Sequence, residues 1–146
     1  MIESLPLAVT RVTTLQGDRQ LTHATGFFFE REGRLYVVTS RHVVFDEPSG
    51  HHPDRIEIEL HVNPENLADT VQFSVPLYRE GKSIWLEGTD SAGAVDVIAL
   101  RLEKEVLPEK MLHHAFTPEQ LFRKLSEVEI GAQVLTAARA QQDGDG

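Results

Sequence analysis

Apolar and polar residues alternate along much of the first hundred positions. The pattern is strictest in Arg55-Ile56-Glu57-Ile58-Glu59-Leu60-His61-Val62. A period of two is that of a strand with one face buried and one face wet. Residues 7–15 are rich in β-branched side chains and stop at Gln16-Gly17-Asp18-Arg19, a turn signal. Strand composition resumes over 22–31, and Glu32-Gly33 separates it from the apolar run 34–40, its tight-hairpin partner. Residues 71–77 and 83–87 are weaker strand candidates, and 95–102 is a strong one. Short strands at this spacing, with no long helical pattern between them, predict an all-β barrel or sandwich.

Near the end the period changes. Thr117, Pro118 and Gln120 supply a cap, a first helical proline and a capping-box partner, and Leu121, Phe122 and Leu125 follow at helical spacing. Residues 128–136 then read as a new strand, and 137–146 as a small, polar tail with nothing to bury.

Composition narrows the setting. The chain has 146 residues, enough for one compact domain and a piece of another. Lys and Arg number 14 against 23 Asp and Glu, a formal net charge of −9. That excess argues against nucleic acid or an anionic membrane as a partner, since phosphate binding needs a basic footprint. There is no cysteine, the first six residues lack a signal-peptide pattern, and no apolar run spans a bilayer. A soluble, cytoplasmic protein is the expectation.

Two segments carry chemistry. The first is Ala24-Thr25-Gly26-Phe27-Phe28-Phe29, then a hairpin, then an apolar strand ending Thr39-Ser40-Arg41-His42-Val43. The second is Asp96-Val97-Ile98-Ala99-Leu100-Arg101-Leu102, an aspartate opening an apolar strand. An imidazole titrates near neutrality and can take and return a proton during acyl transfer. It needs a carboxylate on its other nitrogen to fix the tautomer and stabilise the imidazolium. An aspartate at the head of an apolar strand needs a partner in turn, and His42 is the candidate.

In order and context these segments resemble the N-terminal half of the trypsin-like serine peptidases, over roughly residues 7–136. The resemblance implies one Greek-key β-barrel of the double-barrel fold in residues 1–112, a connecting helix in 113–127, and the first strand of a truncated second barrel with a disordered tail in 128–146. It implies His42 and Asp96 as triad members and a peptide or protein substrate, with no cofactor and no metal. The nucleophile is missing. After Asp96 the only serine is Ser126, inside the expected helix with no glycine near it, and 137–139 replace the family's Gly-aromatic-Pro turn. The expectation is therefore a half that is inactive alone and that self-associates through the barrel face its partner would cover. A non-catalytic half-barrel serving as a binding module is the alternative, and a β-barrel whose His42 and Asp96 are structural is a third reading.

Other chemistry-bearing residues have plainer readings. Ser91, in Gly88-Thr89-Asp90-Ser91-Ala92-Gly93, has the composition of a surface loop and precedes Asp96 instead of following it. The adjacent pairs His51-His52 and His113-His114 cannot converge on one ion and read as surface-loop histidines. Phe27, Phe28, Phe29 and Trp85 read as core. No glycine-rich phosphate loop is present.

Overall fold

The computed structural model describes residues 7–90 and 93–119. Its strands are β1 (Val9–Gln16), β2 (Arg19–Arg31), β3 (Arg34–Thr39), β4 (Arg55–His61), β5 (Thr70–Pro76), β6 (Tyr78–Arg79), β7 (Lys82–Ser83), β8 (Leu86–Asp90) and β9 (Gly93–Leu102). One helical turn, α1 (Arg41–Val44), follows β3, and a 3₁₀ turn covers Lys104–Val106. Seven strands form a single antiparallel sheet in the order β5-β4-β1-β2-β3-β9-β8, and β6 and β7 pair separately. The protein is all-β, as its alternation predicts. Its two edge strands, β5 and β8, are joined by residues 77–85, and the Ile84 amide donates to the Leu77 carbonyl across that link.

Side-chain parity builds the core. β4 alternates half-buried and buried, placing Ile56, Ile58 and Leu60 inside. They join Val12, Phe28, Leu35, Val37, Leu77, Ile98 and Leu100 in the main cluster. Residues 35–39 of β3 and 97–100 of β9 are buried on both faces. A second cluster gathers Phe29, Tyr36, Val38, Val97 and Ala99, with Phe27 and Phe116 packed against it. This is why 35–38 reads as an unbroken apolar run. The three phenylalanines divide between the two clusters by the pleat, so their reading as core holds.

Turns hold the registers. The β2–β3 hairpin pairs Arg31 with Arg34 across Glu32-Gly33, both with positive φ, the conformation of a two-residue primed turn. Glu80-Gly81 repeats that geometry between β6 and β7. This small hairpin corrects the expected strand over 83–87. Ser83 belongs to β7, and β8 begins only at Leu86. The expected loop over 88–93 is corrected too, because Thr89 and Asp90 pair with Ala94 and Gly93 beyond a bulge that follows Glu87. Ser91 lies outside the described residues. So do most of the expected helix, of which Pro118 and Glu119 are helical, and all of the 128–136 strand. Residues 112–116 return to the sheet. Leu112 donates to His61 at 2.8 Å, and Phe116 both donates to Phe28 and accepts from Glu30.

Gly26 is needed for close approach. A Cβ there would lie 2.9 Å from the Val38 carbonyl oxygen and 3.1 Å from a Val12 methyl. Gly26→Ala is expected to destabilise the protein by about 1–3 kcal/mol through overpacking, read as a lower urea midpoint. An unchanged midpoint would mean that the β3 backbone yields freely.

Candidate functional site

The site forms where β3 ends beside β9. β3 ends at Thr39, which pairs with Ile98, two residues along β9 from Asp96. There the chain leaves the sheet for α1. Ser40 caps it with extended backbone, its carbonyl accepts from the Val43 amide at 3.1 Å, and Val43 and Val44 anchor the turn in the core. Arg41 and His42 are left at the rim. Asp96 has the parity of the buried Ile98, Leu100 and Leu102, and it extends that inward row past the point where the core ends.

These placements join the two residues that the sequence singled out. Asp96 Oδ2 accepts from His42 Nδ1–H at 2.6 Å, and Oδ1 accepts from the His42 backbone amide at 2.9 Å. One carboxylate therefore fixes both the ring and the main chain of the same histidine. With Nδ1 as the donor, Nε2 is the basic nitrogen of the neutral ring. The His42 and Asp96 side chains are 63% and 57% exposed, so the pair stands open at the surface. His42 also walls a groove of about 630 Å³ that runs past Leu21, His23, Ala24, Asp46 and His51.

A second carboxylate faces the same helical turn. Glu87 lies opposite Ile98 on β8, and its Oε1 accepts from Arg41 Nε at 2.9 Å and from Trp85 Nε1 at 3.1 Å. The Arg41 guanidinium also lies 5.9 Å from the centre of the Phe45 ring, which meets His52 edge-on at 4.9 Å. Burial pushes the Glu87 carboxyl up, but hydrogen bonds from Trp85 and Arg41 and the Arg41 charge hold it, on balance, below its ordinary value of 4.5. A lowered folded value stabilises the protein above the unfolded one, and that contribution disappears as pH falls through the folded one. Accordingly, Glu87→Gln is expected to lower the urea midpoint at pH 7 and to converge on wild type as pH falls below the folded-state value of the Glu87 carboxyl. A gap that persists in acid would show that the carboxylate charge is not responsible.

The histidine pairs have structural duties. His51 Nε2–H donates to the Val43 carbonyl at 2.8 Å and ties the 46–52 loop to α1, so it is half-buried and not a free loop residue. His113 and His114 pack against Phe28 and Phe116. Among the described residues, no group of three or more His, Asp or Glu converges on a possible metal ion, and no serine hydroxyl is hydrogen-bonded to His42. Nor is any helix among them long and apolar enough to cross a membrane.

Sequence reasoning missed Glu87, Arg41 and the polar role of Trp85. Their signal was weak, since a charged residue beside a strand end is ordinary until the register shows what it faces. No protein-family model matches the chain, and neither a curated protein nor a solved structure matches it.

Proposed function

We propose that this chain is the N-terminal half of a trypsin-like serine peptidase, contributing His42 and Asp96 to a catalytic triad. The observation that carries the reading is the pair of hydrogen bonds that the ring and backbone amide of His42 donate to the Asp96 carboxylate. In this reading the sheet is a Greek-key barrel closed through residues 77–85, and a second barrel packs over the exposed rim where the pair stands.

The chemistry follows from the tautomer. Nε2 takes the proton of an attacking serine hydroxyl as the oxygen bonds to the scissile carbonyl carbon, then returns it to the departing amine. Asp96 keeps the ring oriented and stabilises the transient imidazolium. In this reading the serine and the oxyanion-hole amides come from the other half of the gene product, outside residues 1–146, so residues 1–146 alone have no triad-dependent activity.

The test uses the product of the whole gene that encodes this chain. A fluorophosphonate probe should label it at serine, it should hydrolyse peptide substrates, and both activities should be lost in His42→Ala. A product of that gene with no labelling and no hydrolysis overturns the reading in favour of the non-catalytic binding module, a role that the open, accessible pair also permits.

A further inference from the structure

Asp96 and Glu87 sit on neighbouring strands, on the same face, on either side of one helical turn that carries two adjacent basic residues. The structure divides them cleanly: Asp96 takes His42, and Glu87 takes Arg41. Nothing in the chemistry of the four side chains imposes that division. A guanidinium is a better partner for a carboxylate than a neutral imidazole is, because it is always charged and offers a fork of donors. Arg41 is next to His42 in the chain, at the start of the helical turn that packs beside β9. It is the natural competitor for the Asp96 carboxylate.

We infer that Glu87 is a positioning residue for the His42–Asp96 pair, holding Arg41 away from Asp96 so that the carboxylate remains available to the imidazole. Trp85 directs it. Its Nε1–H donates to the same Glu87 oxygen that receives Arg41, and its ring meets Tyr78 edge-on at 5.5 Å. The small β6–β7 hairpin thereby anchors Trp85, Trp85 aims Glu87, and Glu87 fixes Arg41. The Phe45 ring under the guanidinium holds the other side of that arginine. The low-lying carboxyl of Glu87 fits this role, since it remains charged throughout the range in which a histidine titrates.

The functional meaning of this device rests on the proposed catalytic role, but its geometry can be measured without any reaction. Amide hydrogen exchange in the isolated ¹⁵N-labelled chain reads it, because the His42 amide is protected by its bond to Asp96 Oδ1. In Glu87→Ala the His42 amide should exchange about tenfold faster or more, and the imidazole Nδ1 proton signal should broaden or vanish. The core amides of Val37 and Leu100 should keep their wild-type rates. In the double variant Arg41→Ala/Glu87→Ala the competitor is gone, and His42 protection should return to within about threefold of wild type. Glu87→Gln retains an acceptor oxygen for Arg41 and Trp85 and should fall between the extremes. It replaces Glu87→Ala in the comparison should that variant lose core protection.

Wild-type exchange at His42 in the single variant would overturn the inference. So would a double variant that exchanges as fast as the single one, since the loss would then be general loosening and not competition. Either result leaves the peptidase reading untouched, and absent hydrolysis in the whole gene product leaves the exchange result standing.

Discussion

On the proposed peptidase reading, Asp96→Asn in the product of the whole gene is expected to reduce the turnover of peptide substrates about 10⁴-fold while leaving the fold intact. The carboxamide is nearly isosteric, so the effect comes from hydrogen-bond polarity. An asparagine side chain has one acceptor oxygen where the carboxylate has two. It can serve either the His42 amide or Nδ1–H, and its NH₂ group faces the other as a second donor. The ring then prefers the tautomer with its proton on Nε2, the nitrogen that must be basic, and the imidazolium loses its counter-charge. Turnover measured under saturating substrate, with thermal unfolding as the control, decides the matter. A loss of less than about tenfold, with the fold intact, would remove Asp96 from the chemistry and reduce the pair to a structural contact.

The second large effect is on stability. Leu100→Ala is expected to cost about 2–5 kcal/mol, the range for truncating a fully buried leucine. Leu100 is fully buried in the main cluster and pairs with Val37 on β3. Its neighbours are held on pleated strands, so the cavity cannot collapse easily. At a urea slope of about 1–3 kcal/mol/M, the midpoint should fall by roughly 1–2 M. A shift under about 0.3 M would show that β9 is not a cooperative part of the core. Because β9 also carries Asp96, destabilised variants should loosen the rim as well, and the same samples report it through the His42 amide.

How far the sequence could be read is clearest strand by strand. The alternation over 55–62 predicted β4 and its buried face, because side-chain period is a local property of extended backbone. The Glu32-Gly33 hairpin was legible for the same reason, since two residues with positive φ suffice to reverse the chain. Residues 77–90 were not legible. There the sheet passes from one edge strand to the other through a separate two-stranded hairpin and a bulge, and those depend on what β4 and β9 present from far away. The same residues hold Trp85 and Glu87, which is why the second carboxylate escaped notice.

The sequence by itself determined the all-β class and most of the strands, and it singled out His42 and Asp96 as candidates. Local periodicity, turn residues and the chemistry of imidazole and carboxylate are all written in consecutive positions. Only the tertiary structure decided that His42 and Asp96, 54 positions apart, share a double hydrogen bond, and that Arg41 is held by Glu87 instead. Those facts depend on the β3–β9 register and the β8 bulge. Such long-range pairings are selected by burial of the whole sheet and not by any one segment.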